Sequence, residues 1–302
     1  MPSAGLLTYD AASAISQGAR DYQEDAIICD FSSGSELCFS VLADGMGGHA
    51  AGDLASKIVV TEMFSELTFR RQELLEDQKA LGHILRHAAE TANECLAGYV
   101  EDHPDTKGMG STLLSSVILQ DQLYWISIGD SPLFLFRDNQ LTQLNEDHSL
   151  GPHIDMLVEK GALSEEEGHA HPERNALTSA LLGQKIARVD CPATPVDLQS
   201  GDTVILASDG LQFLSDDEIA EVVRDRPMCR SSDIADGLMQ RLEQLADPDQ
   251  DNISLAVVQV RNAVARSDGA VRAADDVPES NVLAWPFRSR DQSAAQSVTR
   301  RR

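Results

Sequence analysis

The sequence predicts an α+β fold built on antiparallel strands, and three observations carry that expectation. Short segments rich in branched and aromatic residues recur at 36–43, 112–119, 123–128, 133–137, 203–207 and 253–260, each of strand length. Apolar residues at three- and four-residue spacing mark amphipathic helices over 50–67 and 72–100, the latter through Leu81, Ile84, Leu85 and Ala88. Strands come in runs and helices in groups, which favours antiparallel layering over a doubly wound parallel sheet.

Two more helices are expected at 215–223 and 234–245, the first opened by Ser215 as N-cap with Glu218 three residues on. Between them and the central strands, 147–174 is polar and holds Pro152, Gly161, Gly168 and Pro172. It reads as a mobile excursion containing one short helix, either a substrate-facing flap or a plain surface loop. From Ala263 onward Ala, Ser, Asp and Arg dominate without apolar periodicity, so 1–262 is expected to be the folded domain and 263–302 a disordered tail.

The chain has 302 residues, 42% of them hydrophobic, enough for a substantial core. Its net charge of -25 argues against nucleic-acid and anionic-membrane partners. No stretch approaches the roughly 18 apolar residues of a membrane span. Five scattered cysteines without a CxxC pair argue against a disulfide framework and a zinc ribbon, and fit a reducing cytoplasm.

The strongest chemical signal is an apolar strand ending in Asp-Gly, at Asp44-Gly45 and again at Asp209-Gly210. Each places a carboxylate at a strand end, followed by a glycine that is expected to let the backbone turn sharply and expose its carbonyl. Asp251, ahead of the last strand, and Asp130, after 126–129, repeat the strand-end placement. Four such carboxylates converging at one end of the sheets would require cations, and hard ions such as Mg²⁺ and Mn²⁺ take oxygen ligands of this kind. Taken singly, each Asp-Gly is an ordinary turn. Near the N-terminus Arg20 precedes the acidic pair Glu24 and Asp25, and its planar fork suits a phosphate.

In this order the segments 20–26, 43–52 (ADGMGGHAAG), 108–112 (GMGST), 128–131 (IGDS), 146–150 (EDHSL), 175–183 (NALTSALLG), 208–211 (SDGL) and 251–254 (DNIS) resemble the metal-dependent protein phosphatases, the PPM or type 2C family, and above all its compact bacterial members. The resemblance spans nearly all of 12–260. It implies two antiparallel β-sheets packed face to face, flanked by α-helices on both sides, and a serine/threonine protein phosphatase in which a metal-bridging water attacks phosphorus without a phosphoenzyme. It implies two Mn or Mg ions and a weaker third. Asp44 would bridge the two, with Asp209 and Asp251 completing one site and the Gly45 carbonyl the other. Glu24 and Asp25 would act through metal-bound waters, Asp130 with Asp209 would support the third ion, and Arg20 would hold the substrate phosphate. A phosphorylated protein, either a Ser/Thr kinase or its targets, is the implied partner of a cytoplasmic monomer.

The chain departs from many relatives at Pro132, where an Arg is usual, at Gln23 for Asn, and at Ser179 for Arg. Met46 stands where some relatives carry a His, which leaves His49 as a candidate proton donor beside a metal-bound water. Two competing readings are a phosphatase-like regulatory scaffold, whose mark would be a missing metal carboxylate, and a hydrolase of small phosphomonoesters. No EF-hand loop is present.

Overall fold

A computed structural model describes residues 7–31, 35–48, 50–226 and 229–263. The tail expected to be disordered lies outside the described residues, apart from Ala263, and so does His49.

In chain order the strands are β1 (Leu7–Ser16), β2 (Asp25–Asp30), β3 (Leu37–Met46), β4 (Gly110–Ser111), β5 (Leu113–Leu119), β6 (Gln122–Ile128), β7 (Leu133–Arg137), β8 (Gln140–Gln143), β9 (Val196–Asp197), β10 (Thr203–Ala207) and β11 (Ile253–Asn262). The α-helices are α1 (Ala50–Phe69), α2 (Arg71–Glu76), α3 (Leu81–Asp102), α4 (Gly151–Glu159), α5 (Glu165–His169), α6 (Asp216–Arg224) and α7 (Ser231–Leu245). One sheet runs β1-β11-β10-β7-β8 and the other β2-β3-β5-β6-β9, with β4 paired to β3. Every pairing is antiparallel.

The strand residues alternate between two buried environments. On β10 and β11, Val204, Leu206, Ala256 and Val258 meet Leu114, Ile118 and Trp125 of the second sheet in the layer between the sheets. Ile205, Ala207, Leu255 and Val257 face the other way, onto Ile219 of α6 and Ile234 and Leu238 of α7. In the second sheet Phe39 and Val41 pack on Val59 and Met63 of α1 and Leu85 of α3. With both faces covered, the central strands read as continuous apolar runs rather than alternating ones. Each fully buried Leu, Val or Phe contributes about 1.5–3 kcal/mol against the entropy of ordering the chain.

Several sequence expectations are corrected. The stretch 72–100 is not one helix: α2 ends at Glu76, a 3₁₀ turn covers Gln78–Ala80, and α3 begins at Leu81, with the Asp77 side chain accepting from the Lys79 N–H at the break. β1 escaped the sequence reading because LTYDAASAIS is mostly small and polar; its full pairing with β11 makes it a strand. The excursion at 147–174 carries two helices rather than one. α4 is tied by a forked ion pair from Arg174 to Asp155 (2.7 and 3.0 Å). α5 opens on a capping box between Ser164 and Glu167. The capping box expected at Ser215 and Glu218 is present.

Candidate metal centre

Both sheets deliver carboxylates to one place. In the β2–β3 ladder Asp25 stands directly opposite Asp44. Asp209 follows β10 at the head of a 3₁₀ turn, and Asp251 lies two residues ahead of β11, β10's partner. The first pair belongs to one sheet and the second to the other, so the sandwich itself brings them together. Hydrogen bonds close the seam: Ser208 Oγ donates to Asp25 Oδ2 (2.7 Å), and Asn252 Oδ1 accepts from the Glu24 N–H (2.7 Å). The Asn252 amide also donates to the Gln17 and Tyr22 carbonyls, pinning the loop that carries Arg20.

Asp44 is not at a strand end, because β3 continues to Met46, and Gly45 does not turn the chain. Its role is close approach: a Cβ there would lie 2.0 Å from the Gly52 carbonyl oxygen of α1. Gly210 is required for the same reason, its Cβ falling 2.0 Å from the Asn252 carbonyl oxygen. The Asp44 N–H donates to Thr112 Oγ1 (2.9 Å) and its carbonyl accepts from Ser111 Oγ and the Thr112 N–H. Thr112 Oγ1 also lies 3.1 Å from Ser131 Oγ, which ties Asp44 to the loop bearing Asp130.

The electrostatics are those of crowded, buried acids. Burial, then Asp25 and Asp209, push Asp44 well above the usual carboxylate range. Burial raises Asp25 to about 7, with Asp209 and Asp251 adding to it against the Ser208 hydrogen bond. Burial, then Asp209 and Asp147, raise Asp130 to about 7. Burial and Asp251 raise Asp209 to about 6. Among the described residues the one cationic side chain in an ion pair with Asp25, Asp44, Asp130, Asp209 or Asp251 is Arg20, whose Nη2 donates to Asp251 Oδ2 (2.5 Å).

This donor set fits divalent cations. Asp25 Oδ1 and Asp209 Oδ1 are buried without a hydrogen-bond partner, an arrangement that costs free energy unless positive charge is supplied. Oxygen donors alone are what Mg²⁺ and Mn²⁺ take. Among the described residues no three acidic, His or Cys side chains are grouped as a ready-made ion cage.

Residues 12–247 match the family model for protein phosphatase 2C. The chain belongs to that family. Among protein phosphatase 2C relatives, the serine/threonine protein phosphatase PstP of Mycobacterium tuberculosis is 34% identical over 225 residues, 72% of this chain but 40% of the relative, so the chain spans well under half of that protein's length. The serine/threonine phosphatase stp of Listeria monocytogenes is 32% identical over 220 residues, 72% of this chain and 83% of the relative. A crystal structure of the PstP catalytic domain in complex with two manganese ions superimposes with a TM-score of 0.65 at 30% identity, covering 84% of this chain and 99% of that one.

Within this family fold the departures have local explanations. Gln23 donates to the Ser16 carbonyl and accepts from the Asp25 N–H, shaping the turn before Asp25. Ser179 is buried and its hydroxyl bridges both backbone groups of Arg188. Pro132 lacks an N–H, but its carbonyl accepts from Ala207. The sequence reading missed Thr112, Ser208 and Asn252 as residues that hold the acids in place. All three lie inside the segments that carry the resemblance, and what marks them is hydrogen bonding that spacing does not reveal.

Proposed function

We propose that the protein is a metal-dependent serine/threonine protein phosphatase that removes phosphate from phosphoserine and phosphothreonine, with 1–262 as its catalytic unit. The observation that carries this reading is the set of buried, mutually repelling aspartates delivered by both sheets beside the Arg20 guanidinium. Asp44 would serve both ions, with Asp209 and Asp251 holding one and the Gly45 carbonyl the other, Glu24 and Asp25 acting through water, and Asp130 with Asp209 offering a weaker third position. Ions held there would supply positive charge for a phosphoryl group and would lower the pKa of a water.

The chain's own part is placement. Ser208 orients Asp25, Thr112 orients Asp44, and Asn252 holds the Arg20 loop against the acidic seam. Arg20 is half exposed and would offer its fork to a phosphate from the solvent side. The chain's net charge of -25 supports a protein that stays monomeric and away from nucleic acid, and a Ser/Thr kinase or its targets in the cytoplasm are the partners we propose.

The test is phosphate release from a phosphothreonine peptide with Mn²⁺, with EDTA, and with Asp44→Asn. Activity that requires both the metal and Asp44, with a loss of at least about 100-fold in the variant, is the expected outcome. Equal turnover in EDTA would sink the reading.

A further inference from the structure

His148 has no part in the chemistry above, yet it is fully buried and sits where the excursion at 147–174 leaves the sandwich. Its backbone is claimed on both sides. Its N–H donates to the Gly129 carbonyl (3.0 Å), and its carbonyl accepts from the N–H and hydroxyl of Thr178 (2.6 and 2.8 Å), on the returning side of the excursion. Its ring is claimed on one side only. Nδ1 accepts from the Gly129 N–H (3.3 Å), which assigns the ring proton to Nε2. Nε2 is buried with no hydrogen-bond partner, and the nearest carboxylate oxygen, Glu146 Oε2, is 3.7 Å away and itself bonded to Arg188 (3.2 Å).

Gly129 is the residue whose conformation matters. It lies at φ +119°, where a side chain is strained, and a Cβ would come within 2.6 Å of Thr112 Cγ2. Asp130 follows it at once, and Thr112 is the residue that ties Asp44 to Ser131. One imidazole therefore holds the left-handed turn that aims Asp130, and its main chain joins that turn to both roots of the excursion.

We propose that His148 is a positioning residue for the metal centre: through Nδ1 it fixes the Gly129 turn, and so sets Asp130 relative to Asp44 and Asp209. The proposal rests on the phosphatase reading only in naming Asp130 as an ion-holding group. A buried imidazole with an unmet donor costs free energy, and a leucine of similar size would fill the space more cheaply. The hydrogen bond to Gly129 is what a leucine cannot supply.

The deciding experiment compares His148→Asn with His148→Gln. The Asn amide oxygen falls near the former Nδ1 and can accept from Gly129; the longer Gln side chain carries its polar atoms out toward the former Nε2. Mn²⁺ binding is followed by calorimetry, and phosphopeptide turnover is followed across a Mn²⁺ titration. His148→Gln is expected to weaken the lowest-affinity class of Mn²⁺ binding by roughly 10-fold, with kcat at saturating metal far less affected, while His148→Asn stays near wild type. In an Asp130→Asn background His148→Gln is expected to add no further loss. Identical behaviour of the two variants, a loss that multiplies with Asp130→Asn, or a loss that merely follows a fall in melting temperature would each overturn the proposal. Calorimetry reads the metal whether or not phosphate is released. A wild-type protein inactive on every phosphoester therefore refutes the functional reading without deciding this one.

Discussion

The acidic seam and the 147–174 excursion are held by opposite kinds of bond. At the seam Glu24 meets Asn252 and Asp25 meets Ser208, residues 228 and 183 positions apart in the chain. In the excursion Ser164 meets Glu167 and Arg174 meets Asp155, partners 3 and 19 positions apart. The seam exists only when the whole sandwich exists, whereas the excursion is held largely by local bonds and is joined to the sandwich near its roots, through Gly129 with His148 and Ser111 with Leu181. Groups that tolerate little displacement sit on the first kind of structure, and the second is held mostly by bonds of its own.

The contrast breaks most sharply with Asp209→Asn. The substitution removes a buried charge and no core volume, so phosphopeptide turnover at limiting Mn²⁺ is expected to fall about 100-fold while the melting temperature holds or rises, and excess Mn²⁺ recovers part of the loss. Turnover that is unchanged across a metal titration would show that the seam is not the site.

A middle-sized effect concerns pH. Asp25 and Asp130 have folded values near 7 against about 3.8, so the folded state disfavours their ionised form. Their contribution to stability without ions is full below about pH 4 and is lost as pH rises to about 7. Ion-free protein is therefore expected to melt lower at pH 8 than at pH 5.5, and the gain in melting temperature on adding Mn²⁺ is expected to be larger at pH 8. A gain independent of pH would remove the like-charge account of the seam. The smallest effect is Ser164→Ala. Loss of the α5 cap is expected to shift the global melting temperature by no more than about 2–4 °C and to leave turnover of a small aryl phosphate unchanged, while proteolysis within 160–174 accelerates. A drop in small-ester turnover matching that of Asp209→Asn would erase the distinction between the two regions.

Much of this was legible in advance. The apolar runs located the buried strands because both of their faces are covered, and Asp44, Asp209 and Asp251 stood out because each abuts such a run. The Asp-Gly expectation of a turn holds at Asp209-Gly210, where a 3₁₀ turn begins, and fails at Gly45, where β3 runs on; at both, the absent side chain serves a close backbone approach, of Gly52 and of Asn252, that the sequence does not show. β1 was invisible because Ala and Ser carry no strand signal, and only β11 makes that segment a strand. His148 was read as part of a matching segment without a task, since its task depends on Gly129, a residue 19 positions earlier and across a strand end.

The pairing of β1 with β11 has a consequence in time. A nascent chain that has emerged only as far as Asp209 already contains Arg20, Asp25, Asp44 and Asp130, yet it lacks Asp251, Asn252 and the strand that places Leu7–Ser16. The ribosome must release nearly the whole domain before the acids can be gathered, and contacts this distant in sequence form slowly. Asp25 and Asp44 can already face each other across β2 and β3, but a stalled or truncated product lacks the Asp251 and Asn252 that close the seam.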